Sequence, residues 1–115
     1  MELSISKSQD ALNRELISKA IRDILNKAYI PNGKAILFGS RARGDARKDS
    51  DWDILLLLDK ERITSSDMDE ISYPIREFGW QIDAMINPIM FTTKEWETKK
   101  FSPFYKNVMM EGIRL

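Results

Sequence analysis

The chain contains no cysteine and no histidine. Disulfides and thiol chemistry are therefore excluded, and a zinc site built from imidazole or thiolate is excluded with them. No charge of one sign dominates: Lys and Arg number 18, Asp and Glu also 18. The zero balance gives no long-range field that would steer nucleic acid toward the chain, so nucleic acid is not expected as a partner. No apolar run reaches membrane-spanning length, and Met1 to Lys7 lack a basic region followed by an apolar one, so a membrane anchor or secretion signal is not expected and the cytoplasm is the expected compartment. No repeats, linkers or low-complexity tracts occur. A length of 115 residues leads to the expectation of one domain, 1–115, without a second, substrate-binding domain.

What the sequence does contain is concentrated between Ala35 and Asp59. Ile36, Leu37 and Phe38 run into Gly39-Ser40, where a residue without a Cβ lets the backbone turn sharply and approach a ligand. Ten residues intervene before Asp51, and Asp51 and Asp53 are spaced to project from one face of a strand. Behind them Ile54 to Leu58 form a continuous apolar run, as expected of a strand covered on both faces. Two carboxylates held this close repel each other unless a cation lies between them. Oxygen ligands alone point to Mg²⁺ or Mn²⁺.

Gly39-Ser40, the ten-residue gap and Asp51-Trp52-Asp53 resemble the signature of the nucleotidyltransferase superfamily related to DNA polymerase beta, and most closely its minimal bacterial members. The resemblance covers nearly the whole chain. It implies that the Gly-Ser turn holds the terminal phosphates of a nucleoside triphosphate such as ATP, that the two acids bind two divalent ions, and that a third acid arrives on a later strand. Asp83, within Gln81 to Ile86, is the candidate: as a charge among apolar strand neighbours it needs a partner, and the shared metal would serve. Asp67-Met68-Asp69 repeats the Asp-x-Asp spacing but reads as acids near a helix N-terminus.

The rest of the chain reads as scaffold. Apolar residues at Leu12, Leu16, Ile17, Ala20, Ile21, Ile24, Leu25 and Ala28 make one stripe of a helix from about Ser8 to Tyr29, stopped by Pro31-Asn32-Gly33. Arg41, Arg43, Arg47 and Lys48 form a cationic cluster beside the proposed polyphosphate site. Arg41 and Arg43 are the candidates to clamp phosphate, while Arg47 and Lys48 read as solvated and Asp45 and Asp49 as turn residues or Arg partners. Ser65 or Ser66 caps a helix carrying Met68, Ile71, Ile75 and Phe78, ended by Gly79 and kinked at Pro74. After Asn87-Pro88 come a helix near 93–100 and another opened by Ser102-Pro103 and closed by Gly112. Trp96, Phe101, Phe104, Tyr105, Val108, Met109 and Met110 supply core, with any surplus marking a partner site; Trp52 and Trp80 face the same alternative.

The expected fold is α/β: a small mixed sheet from strands near 34–38, 52–58 and 81–86, packed against about four helices. The expected activity is transfer of a nucleoside monophosphate to a hydroxyl acceptor, with Asp51, Asp53 and Asp83 holding the ions, Asp83 able to take the proton, and Gly39 and Ser40 holding the departing pyrophosphate. Minimal relatives resemble the antitoxin half of bacterial pairs with a helical HEPN-domain partner, and some of them transfer AMP to that partner. Transfer to a small hydroxylated molecule such as an aminoglycoside, and a binding module that neutralises a partner by contact, are the alternatives.

Overall fold

The structure, a computed structural model, describes the backbone of residues 2–115 and the side chains of residues 9–115. A four-stranded mixed sheet is formed by β1 (Lys34–Phe38), β2 (Trp52–Leu58), β3 (Ile86–Thr92) and β4 (Ile113–Arg114), in the order β3-β2-β1-β4. β1 runs antiparallel to both β2 and β4, and β2 runs parallel to β3. The helices are α1 (Glu2–Lys27), α2 (Ser40–Arg43), α3 (Ser65–Asp67), a π-helical turn at Met68–Ser72, α4 (Tyr73–Gln81), α5 (Thr93–Glu97) and α6 (Pro103–Glu111). The α/β class and the mixed sheet follow the expectation.

β2 is the spine. Ile54 to Leu58 are all buried because both faces of the sheet are covered. Trp52, Ile54, Leu56 and Leu58 pack with Ile17 and Ile21 of α1, and with Ile71 and Ile75 of the π turn and α4. Leu55 and Leu57 face the other way, onto Trp96 of α5 and Val108 of α6, flanked by Phe38, Phe91, Phe104 and Tyr105. Truncating a fully buried leucine here, Leu56→Ala for instance, would cost about 2–5 kcal/mol.

Several sequence expectations are corrected. The third strand lies at 86–92, not 81–86, and runs through Pro88 rather than ending before it. β3 is an edge strand with one side unpaired, which is where a residue without an N–H is tolerated. The helix cap is Thr64, not Ser65 or Ser66: its hydroxyl accepts from the Asp67 N–H while the Asp67 carboxylate accepts from the Thr64 N–H. Gly79 does not end α4, which continues to Gln81; a Cβ there would meet the Ala84 carbonyl oxygen at 2.7 Å, so glycine lets the helix press against the approach to β3. The interruption expected at Pro74 appears as the π-helical turn immediately before it, where the Tyr73 N–H reaches back to the Met68 carbonyl. α1 starts at Glu2, earlier than the apolar stripe indicated.

Candidate active site

The ends of three strands meet at one edge of the sheet. β1 leaves at Phe38 into Gly39-Ser40, β2 enters through Asp51 to Asp53, and β3 enters at Ile86-Asn87. Phe38 is the register partner of Asp53 on one side and Asn87 is its partner on the other. Side chains alternate, so Trp52 turns into the α1 core while Asp53 faces the α5/α6 side together with Leu55 and Leu57.

Gly39 adopts φ +76°, and a Cβ at this position would lie 2.6 Å from Asp53 Oδ2. The missing side chain is thus needed twice, for the left-handed backbone and for the space the carboxylate fills. Directly after it the chain enters the short helix α2, whose first turn closes with the Arg43 N–H on the Gly39 carbonyl. The turn expected to receive phosphate and the carboxylate expected to hold a cation are therefore in contact.

Asp51 is exposed and Asp53 half-buried. Among the described residues neither is ion-paired to a Lys or Arg. Asp53 Oδ1 instead accepts from Asn87 Nδ2 at 3.2 Å. Carboxylate oxygens with no cationic partner at the entrance to a rigid strand, with an amide beside Asp53, suit a hard divalent cation of the Mg²⁺ type.

Asp83 is not on a strand. It occupies the turn after α4, at φ +60°, exposed, and closes the helix: its N–H reaches the Trp80 carbonyl and the Ala84 N–H reaches the Gly79 carbonyl. This is a Schellman-type ending with Asp in the left-handed position. Among the described residues no three Asp or Glu side chains gather into a metal-holding group, so Asp83 is not brought together with Asp51 and Asp53. Asn87 is the polar residue that the strand register sets beside Asp53, across from Phe38. No sequence pattern singled it out, because recognising it requires knowing where β3 begins.

Arg41 is nearly buried. Its guanidinium donates to the Ser50 carbonyl from Nε and Nη2, to the Lys48 carbonyl from Nη2 and to Asp10 Oδ1 from Nη1, and it lies 4.8 Å above the Trp52 ring. Four of its five N–H groups are thereby engaged, so Arg41 braces the loop that delivers Asp51 rather than standing open to phosphate. Arg43 is half-exposed, with Asp45 and Glu111 as partners. The hydrogen bond and charge of Asp45, then those of Glu111, raise its pKa further.

A cleft of about 360 Å³ adjoins the loop before Asp51, lined among others by Lys48, Asp49, Trp80, Asp83 and Met85. Trp80 is half-exposed, with Tyr73 edge-on at 6.0 Å, whereas Trp52 is core. The large C-terminal apolar side chains divide likewise: Trp96, Phe104, Tyr105 and Val108 pack inward, while Phe101, Met109 and Met110 are exposed. A second cavity of about 370 Å³ lies at the opposite end of β2, beside Asp59, Lys60 and Asp67. The acid buried there, Asp67, serves a helix cap and an ion pair.

Residues 18–115 match the family model described as a nucleotidyltransferase domain. A putative protein adenylyltransferase of Methanocaldococcus jannaschii is 34% identical over 77 residues, which is 67% of this chain and 77% of that protein.

Proposed function

Because the chain belongs to the nucleotidyltransferase domain family, we propose that this nucleotidyltransferase is divalent-metal-dependent and moves AMP from ATP to a hydroxyl group on another protein. The observation that supports the site assignment is the packing of the Asp53 carboxylate against Gly39, with the residue read as a cation ligand beside the turn read as a phosphate holder. AMP as the group transferred and protein as the acceptor are supported by the similarity to the putative protein adenylyltransferase.

Asp51 and Asp53 would hold the ions, and Gly39 and Ser40 would face the terminal phosphates. Bound Mg²⁺ or Mn²⁺ supplies charge neutralisation at the phosphates and a lowered pKa at the acceptor hydroxyl. The acceptor oxygen bonds to the α-phosphorus, the bond from that phosphorus to the oxygen bridging toward the β-phosphate breaks, pyrophosphate leaves, and the hydroxyl proton passes to solvent. Arg41 contributes by position: tying the Lys48 and Ser50 carbonyls to Asp10 of α1, it fixes the loop from which Asp51 projects. The exposed Trp80 and Met85 beside the cleft, and Phe101, Met109 and Met110 elsewhere, are apolar surface on which a helical partner of the HEPN type would dock.

Incubation of the protein with ATP, Mg²⁺ and its genomic neighbour, followed by intact-mass spectrometry, tests the proposal. One added AMP on the neighbour that disappears with Asp51→Asn supports it. A stable complex that never acquires AMP favours a non-catalytic binding module, and AMP found only on an aminoglycoside-like compound replaces the protein acceptor with a small molecule.

A further inference from the structure

Asn87 stands directly beside Asp53 in the parallel pair of β2 and β3, on the sheet face that Asp53 shares with Leu55 and Leu57. Its Nδ2 donates to Asp53 Oδ1 at 3.2 Å, so its amide already lies within ligand reach of whatever that carboxylate holds. No third Asp or Glu joins Asp51 and Asp53 among the described residues. The side chain that strand register supplies next to the pair is an amide. Oxygen and nitrogen of an Asn side chain are nearly equal in size, and half a turn about χ2 exchanges them. Asn carbonyl oxygens are ordinary ligands of hard cations.

We propose that Asn87 is the third protein ligand of the divalent-cation site, donating Nδ2–H to Asp53 when the site is empty and turning Oδ1 toward the cation when it is filled. This rests on the reading of Asp51 and Asp53 as metal ligands. The set then carries two formal negative charges and one neutral oxygen. Cation affinity in the nucleotide-free protein is correspondingly low, and the phosphates of the nucleotide complete the charge and the oxygen shell, so cation and nucleotide strengthen each other's binding.

The competing role is a prop, in which Asn87 only holds the Asp53 carboxylate by its N–H. The two roles predict opposite signs for Asn87→Asp, which cannot donate to Asp53 but adds a charged oxygen. Mn²⁺ titration of nucleotide-free protein, followed by electron paramagnetic resonance, should show roughly tenfold tighter binding in Asn87→Asp and roughly threefold to tenfold weaker binding in Asn87→Ser, since ligand charge sets affinity in such sites. In wild type, Mg²⁺ should shift the Asn87 side-chain amide resonances in nuclear magnetic resonance spectra as the bond to Asp53 is given up. If Asn87→Asp binds Mn²⁺ no more tightly than wild type while Asp51→Asn and Asp53→Asn abolish binding, the ligand role of Asn87 is overturned and the metal site stands. Unchanged Mn²⁺ binding in Asp51→Asn and Asp53→Asn would overturn both. Neither measurement needs an acceptor, so failure to find transfer does not bear on either outcome.

Discussion

Asp53 Oδ2 occupies the space where a side chain on Gly39 would begin, 2.6 Å from the ideal Cβ position. Gly39→Ala must therefore displace the carboxylate as well as force alanine to φ +76°. This backbone, with ψ −158°, lies in a region open essentially to glycine alone and by itself costs another residue about 1–3 kcal/mol. The expected outcome is a lower melting temperature together with weakened ATP binding in Mg²⁺, measured by calorimetry. An alanine variant that binds Mg·ATP as wild type does would show that the contact has no part in the site.

Asp53→Asn keeps the shape of the carboxylate and removes its charge, and Asp51→Asn does the same on the exposed side. Each should lower transfer by roughly two orders of magnitude or more, since the cation supplies several kcal/mol of transition-state stabilisation. The fold should remain, because neither carboxylate is ion-paired among the described residues. Circular dichroism and turnover measured on the same samples check this, and retained transfer in both variants would remove the pair from the chemistry.

Arg41→Ala removes the guanidinium that binds two loop carbonyls and Asp10 and stacks over Trp52. The carbonyls of Lys48 and Ser50 lose their donors, so a stability loss of about 1–3 kcal/mol is expected. Faster amide hydrogen exchange across 45–50 should accompany it. Arg41→Lys should rescue little, because a single ammonium cannot reproduce a planar fork bonded on several sides. Exchange rates that stay at wild-type values would mean the loop is held by its own turns.

Much of this arrangement could be read from the residues alone, for definable reasons. β1 and β2 carry uninterrupted apolar runs bounded by Gly39-Ser40 and Asp51, so their ends and the Gly-Ser/Asp-x-Asp pairing were legible. The Ser102-Pro103 cap was legible because it depends on local chemistry. β3 was misplaced because Asn87-Pro88 reads as a stop, and only the sheet order shows that this strand lies at an edge. Misplacing β3 put Asp83 on a strand and hid Asn87. The two-residue β4 has too little pattern to detect and exists only because β1 offers it a free edge. The bracing role of Arg41 is not legible in the sequence, where it reads as a candidate phosphate clamp, because its partners Asp10 and Ser50 are separated from it by 31 and 9 residues.

At Asp83 the left-handed turn, φ +60°, leads to a prediction of its own. Glycine takes this conformation without a Cβ penalty, so Asp83→Gly should raise stability by about 0.5–1 kcal/mol and Asp83→Ala should lower it. Urea unfolding of the two variants beside wild type measures both signs. If both variants were equally destabilised, Asp83 would be contributing through its carboxylate and not through its backbone.

Asp67 gives the chain a pH dependence far from the active site. Burial acts to raise its pKa, but the hydrogen bond from Lys60 Nζ, the Thr64 N–H and the Lys60 charge together outweigh burial and hold the carboxyl below its ordinary value. A folded-state pKa lower than the unfolded one means that the unfolded chain takes up protons first as pH falls. The stabilising contribution is therefore fully present above the unfolded value of about 4 and is lost as pH drops through the folded value. Asp67→Asn retains the side-chain oxygen for the cap but leaves Lys60 without its counter-charge, and should cost about 1–3 kcal/mol at pH 7. Urea unfolding of wild type and variant at a series of pH values should show a gap that is constant from pH 7 to about 5 and closes toward pH 3. A gap as wide at pH 3 as at pH 7 would mean that the charge on Asp67 contributes nothing and only the shape of its cap matters.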